Sequence, residues 1–302
     1  MPFSLKAFFV LILFSFSSSH CQTHLIEIQG HRGSRGTLPE NTLPGFEAAI
    51  AAGVNRLELD LHISADGEVI IHHNFFTRSD LSTYKDGTAL NGDSLISNWT
   101  LEELKKLDCG AKINPEFPLQ KAIPGTEIPT LQELFDGIQS SPHPNAKHVC
   151  LNLELKRDPR SPHYSAPPDE FASKVLNLVK ENGFSKRVCY SSFDPEILSH
   201  LRKQDPEATI GFIYGAKTIQ ILSLEQLLKR ISSISVQILS PDHDLLKNRD
   251  DVQSLKQMGF RIIPWTVNDP ERWEELIQMG VDGLITDYPQ QLIDFLSERK
   301  FK

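Results

Sequence analysis

The stretch His31-Arg32-Gly33-Ser34-Arg35-Gly36-Thr37-Leu38-Pro39-Glu40-Asn41-Thr42 sets a histidine beside an arginine, and Glu58-Leu59-Asp60 places two carboxylates one residue apart. The run Val69-Ile70-Ile71-His72 adds a second imidazole. A guanidinium neutralises phosphate oxygens, carboxylates hold a hard divalent cation, and imidazoles move protons near neutral pH. Together these residue types are a compact kit for metal-assisted attack on a phosphate ester.

The elements that must position this kit read as alternating strands and helices. Strand-like runs fall at Leu25–Gly30, Asn55–Leu61, His148–Lys156, Arg187–Ser192, Ala208–Tyr214, Ser235–Ser240, Arg261–Val267 and Asp282–Thr286. Helical segments are expected at Leu43–Gly53, Asp169–Asn182, Pro195–Lys203, Ile219–Ser232, Asp250–Gly259, Pro270–Met279 and Pro289–Arg299. Eight strands alternating with helices predict an α/β fold, a TIM (β/α)8 barrel. A ninth apolar run, Glu68–His73, follows Ala65-Asp66-Gly67, a three-residue hairpin loop. That loop pairs Ser64 with Glu68 and Asp60 with His72, so alternation gathers Glu58, Asp60 and His72 on one face and aims His73 away. Residues 74–146 break the rhythm and predict a lid inserted between the second and third barrel strands.

Glu154, ending the third strand, joins Glu58 and Asp60 near the same rim, and oxygen-only ligation favours calcium or magnesium over zinc. Spacing alone leaves open that these carboxylates are salt-bridged barrel residues, and that the histidines are ordinary hydrogen-bonded ones. Lys156 reads both as a partner of Glu154 and as a point charge for phosphate. Phe193 and Trp265 read either as packing or as a pocket wall. Asn268 and Asp287 are expected to orient loops.

A net charge of −8 over 302 residues argues against a nucleic-acid binder. Lys6, the apolar run Ala7 to Phe16 and the small residues Ser17 to Ser19 read as an export signal over residues 1–21, cleaved after Ser19 or Cys21, rather than a membrane span. His20 before Cys21 argues against lipidation. Cys109, Cys150 and Cys189 match no zinc spacing; free thiols are favoured over a Cys150–Cys189 disulfide. Asn98-Trp99-Thr100 is a glycosylation sequon, relevant only in a eukaryotic secretory route.

With Leu153-Glu154-Leu155-Lys156, Ser192-Phe193-Asp194, Pro264-Trp265-Thr266-Val267-Asn268 and Gly280-Val281-Asp282-Gly283-Leu284-Ile285-Thr286-Asp287, these motifs closely resemble the glycerophosphodiester phosphodiesterase family from about residue 25 to 298. Ser240-Pro241-Asp242-His243 resembles its branch of periplasmic enzymes. The resemblance implies an exported hydrolase that cuts small glycerophosphodiesters, such as glycerophosphocholine, into sn-glycerol 3-phosphate and an alcohol. It implies one divalent cation, calcium or magnesium, on Glu58, Asp60 and Glu154. It implies His31 and His72 as acid and base, Arg32 and Lys156 as phosphate clamps, and Phe193 and Trp265 along the substrate. Attack by the glycerol 2-hydroxyl through a cyclic phosphate and direct attack by water both fit. This chain departs from the family at His73, where an aspartate is usual. Two rival readings are a phospholipase D-like or cyclising lyase activity on intact lipids, and a non-catalytic exported protein that binds glycerophosphodiesters.

Overall fold

The computed structural model describes residues 26–299, so the export signal read over residues 1–21 lies outside the described residues. Its strands are β1 (Glu27–Gly30), β2 (Arg56–Ile63), β3 (Val69–Ile71), β4 (Thr83–Tyr84), β5 (Leu107–Asp108), β6 (Cys150–Leu155), β7 (Val188–Ser192), β8 (Thr209–Tyr214), β9 (Ile238–Pro241), β10 (Arg261–Ile262) and β11 (Gly283–Thr286). Eight of them run parallel in the order β10, β9, β8, β7, β6, β2, β1, β11, with β3 added antiparallel on β2. Between β10 and β11 the backbone bonds Ile285 N to Pro264 O (3.0 Å), Val267 N to Ile285 O (2.9 Å) and Asp282 N to Ile262 O (2.8 Å) bring the ring together. Pro264 has no N–H to return, and β10 ends at Ile262, short of the Val267 expected from the sequence.

Alternation explains both faces of the wall. In β2, Leu57, Leu59 and Leu61 are fully buried in the main apolar core, and Leu151, Leu153 and Leu155 of β6 join them. Between them Glu58, Asp60, Asn152 and Glu154 take the opposite face. Burying six leucines under a coat of helices stabilises the barrel by roughly 1.5–3 kcal/mol each. The opposite face is left to polar groups.

Helices are started and stopped by local chemistry. Thr42 Oγ1 accepts from Gly45 N at the start of Leu43–Ala52, and Gly53, at φ 100°, ends it in the left-handed region that favours glycine. The segment expected as one helix over Ile219–Ser232 is two, Ala216–Ile221 and Leu224–Ile231, because Ser223 caps the second through Gln226. A larger difference lies in the insertion. Thr130 and Glu133 form a reciprocal cap on a helix Leu131–Ser140, whose Leu131, Leu134, Phe135 and Ile138 enter the main core. That helix is part of the barrel coat, so residues 74–146 do not form one inserted unit. What precedes it has a small core of its own, with Ile70, Leu90, Ile96, Leu104, Leu107 and Ile128. No described helix is long and apolar enough to cross a membrane.

Candidate active site

Register brings the carboxylates together. Parallel pairing of β2 with β6 sets Glu58 beside Asn152 and Asp60 beside Glu154. One oxygen from each of Glu58, Asp60 and Glu154 lies within 4.8 Å of the others, and all three residues are buried. Burial raises the Glu58 carboxyl well above its ordinary range, and the charges of Asp60 and Glu154 raise it further. Burial also raises Glu154, against the opposing pull of Lys156. Burial alone would raise Asp60 too, yet the nearby cationic groups, Lys156 foremost, hold it well below the usual carboxylate range.

Two cations answer these anions. Lys156 Nζ lies 2.7 Å from Glu154 Oε1 and 3.2 Å from Asp60 Oδ1. Arg32 follows β1 in a left-handed conformation, φ 49°, with Gly33 at φ 86° next to it. Its backbone N–H donates to Glu58 Oε2 (2.9 Å), and its Nη1 donates to Glu40 Oε1 (3.0 Å). Arg32 Nε is buried without a hydrogen-bond partner, its nearest anion being Asp60 Oδ2 at 3.4 Å. A buried donor without an acceptor is costly, and an incoming oxyanion would satisfy it.

His31 Nδ1 sits 2.6 Å from Asp287 Oδ1, which fixes the ring and leaves Nε2 3.9 Å from Glu58 Oε2. Burial lowers the His31 imidazole, with Asp287 opposing. Asn268 Nδ2 donates to Asp287 Oδ2 (2.7 Å), and Asn268 Oδ1 accepts from the Asp287 N–H (2.9 Å). Asn268 and Asp287 thus tie two loops together, and Asp287 also holds the His31 ring, a contact the sequence reading did not foresee.

His31, Arg32, Glu58, Glu154, Lys156, Phe193 and Trp265 line a single cavity of about 140 Å³, together with His73, Asn152, Ser240 and two isoleucines. Phe193 and Trp265 meet edge to face, ring centroids 5.5 Å apart, and Trp265 Nε1 is anchored on Ser240 O (2.9 Å).

The expected direction of His73 needs correcting. The hairpin register is as expected, with Leu61 opposite Ile71 and His72 N–H donating to Asp60 O (2.9 Å). His72 nevertheless is not among the cavity-lining residues; its Nε2 meets Phe76 O at 3.2 Å, and its ring faces His62. His73, expected to point away, lines the cavity. The reason is local: β3 ends at Ile71, so the two-residue alternation no longer governs where His73 points. Sequence reasoning also gave no role to Glu40, Asn41 and Asn152. Asn41, in the left-handed region at φ 55°, donates to Asp60 Oδ2 (2.9 Å). Both Glu40 and Asn41 stand in the opening motif, where their density of polar types was the available signal.

A parallel barrel with buried carboxylates, a guanidinium, an ammonium and an anchored imidazole gathered in one cavity is built as an enzyme acting on an anionic ester. The chain belongs to the glycerophosphoryl diester phosphodiesterase family, whose pattern matches residues 31–291. A glycerophosphodiester phosphodiesterase of Caldanaerobacter subterraneus subsp. tengcongensis is 32% identical over 268 residues, 88% of this chain and 96% of that relative. A solved Silicibacter pomeroyi structure bearing the same family name has a TM-score of 0.80 at 30% identity, covering 91% and 94% of the two chains. An Oleispira antarctica phosphodiesterase, solved in complex with the product sn-glycerol-3-phosphate, has a TM-score of 0.72 at 26% identity, covering 90% and 97%.

Proposed function

We propose that this glycerophosphodiester phosphodiesterase is metal-dependent and releases sn-glycerol 3-phosphate and an alcohol from small glycerophosphodiesters. The observation that carries the proposal is one cavity lined by Glu58, Glu154 and a buried guanidinium with an unpartnered Nε, with Asp60 close behind the two carboxylates. The carboxylates suit a divalent cation: their oxygens are hard donors, close together, and mutually repelling without one. Glu58, Asp60 and Glu154 would hold calcium or magnesium, and neutralising charge on a phosphate oxygen is the chemistry such an ion supplies when bound.

The chain's own groups account for the rest. Arg32 binds phosphate through its free edge, while Glu40 holds the other edge in place. Lys156 adds charge on the opposite side. Phe193 and Trp265 exclude water and pack along the diester. His31, held by Asp287, and a second imidazole from the His72-His73 pair transfer protons to and from the reacting oxygens. Contacts from the insertion support a lid role: Phe117 packs on Arg35, and Gln120 Nε2 donates to Arg35 O (2.8 Å) beside the phosphate-binding loop.

A release assay tests this. Purified protein with glycerophosphocholine should liberate glycerol 3-phosphate when calcium or magnesium is added and lose that activity in chelator. Full activity in chelator would end the metal assignment; no release under any condition would end the substrate assignment.

A further inference from the structure

Resting on that reading, we propose that Arg157 and Asp194 are positioning residues: their buried ion pair holds the Phe193 ring against the cavity and so sets the affinity for the diester. Phe193 has little packing of its own to keep it there. The residue is 37% exposed, while Ser192 and Asp194 on either side of it are almost completely buried. Its ring meets Trp265 edge to face, and its centroid lies 5.9 Å from Lys156 Nζ. A partly exposed ring with one aromatic neighbour gains little by staying in place, so the backbone on each side must fix it.

The chain anchors both sides. Ser192 Oγ donates to Leu155 O (2.8 Å) and accepts from Asp194 N (3.1 Å). Asp194 uses its Oδ1 to accept from Glu196 N (3.0 Å) at the start of the helix Pro195–Gln204, and its Oδ2 to accept from Arg157 Nη1. The same nitrogen donates to Glu196 Oε2 (2.6 Å). Arg157 directly follows Lys156, whose side chain lines the cavity while Arg157 turns to the next loop. The pair therefore ties the end of β6, which carries the cavity ammonium, to the end of β7, which carries the ring. Among the described residues Arg157 Nε, also buried, has no hydrogen-bond partner. The guanidinium thus acts here through one nitrogen shared by two carboxylates, as a point charge rather than a fork.

Such a pair acts on the diester through the ring. Loosening it lets Phe193 swing from the cavity wall into solvent, which removes apolar contact from bound substrate and transition state alike. Uniform binding is lost, so KM rises and kcat holds.

The test measures glycerophosphocholine hydrolysis by Asp194→Asn, Arg157→Gln and Arg157→Lys, each alone and in a Phe193→Ala background, with folding checked by thermal melting. Asp194→Asn keeps the helix cap while removing the charge, so it breaks the pair without orphaning a buried carboxylate. Asp194→Asn and Arg157→Gln should raise KM as far as Phe193→Ala does, about five- to tenfold, with kcat within about twofold. Arg157→Lys, which keeps a cation beside both carboxylates, should recover most of that loss. In the Phe193→Ala background the same changes should add less than about twofold, because the ring they position is gone. Folded Asp194→Asn protein with the wild-type KM, or variants that add their full effect without the ring, overturn the proposal. A loss of kcat at constant KM overturns it too, since the pair would then serve the chemistry. Wild-type protein inactive on glycerophosphocholine, or Phe193→Ala protein with an unchanged KM, counts instead against the reading of the site on which the proposal rests.

Discussion

At the N-terminal end of the barrel one carboxylate meets two guanidiniums; at the opposite mouth three carboxylates crowd together. Glu27 accepts from Arg56 Nε (3.0 Å), Arg261 Nη2 (2.9 Å) and Gln29 Nε2 (2.6 Å). Burial would raise its carboxyl, but Arg56 and Arg261 bring it down to about 2. At the mouth, burial and mutual repulsion raise Glu58 and Glu154 despite Lys156 and Arg32. Both clusters are made of inward-facing residues in the same wall. The lower one is satisfied within the chain; the upper one is left short of positive charge, as the proposed cation site requires. Gln29 connects them, accepting from Asn152 Nδ2 (3.0 Å) in the floor of the cavity.

Substitutions at the two ends should therefore separate activity from stability. The largest effect is expected for Glu154→Gln, which keeps shape but removes one hard ligand. Activity should fall by about a thousandfold, calcium titration should show much weaker binding, and the melting temperature should hold or rise because repulsion is relieved. Undiminished calcium affinity would take Glu154 out of the site.

Next in size is Asp287→Asn, which leaves His31 with a neutral partner. Turnover should drop by roughly ten- to a hundredfold with KM nearly constant, as expected when a general acid loses its orienting charge. A change confined to KM would give Asp287 a substrate-binding role instead.

Glu27→Gln should do the reverse of Glu154→Gln. The folded carboxyl lies at about 2 and the unfolded one at 4.5, so its contribution is complete above pH 4.5 and lost as the pH falls toward 2. That difference corresponds to roughly 3 kcal/mol. The variant should unfold at lower denaturant at pH 7, converge on the wild type in acid, and keep its turnover while folded. A lowered turnover in the folded variant would show that the lower cluster shapes the upper one through Gln29 and Asn152. The smallest effect is expected for Phe117→Ala, which frees Arg35 from the insertion: KM should rise severalfold, worth about 1 kcal/mol or less, with kcat retained.

Much of this arrangement is legible without coordinates. The runs Leu57-Glu58-Leu59-Asp60-Leu61 and Leu151-Asn152-Leu153-Glu154-Leu155 state which side chains face the coat and which the opposite side. The hairpin loop sets a register that the structure keeps. The helix Leu131–Ser140 was equally readable from Thr130 and Glu133, but the proline-rich stretch before it obscured the cap. The clamp of Glu40 on Arg32 and Arg35 was not readable, because residues in an irregular loop carry no period from which direction can be inferred.

The sequence by itself determined the eight barrel strands (though not the short β4–β5 pair of the insertion), the inward carboxylates and the pairing of Asp60 with His72. These follow from two-residue alternation and turn length, which are local properties of the chain. The tertiary structure decided the choice between adjacent histidines. Past Ile71 the chain leaves the sheet, and Phe75 and Phe76 pack on Tyr164 from the loop after β6. Where ladder bonds no longer fix the backbone, contacts between segments far apart in sequence decide which ring enters the cavity.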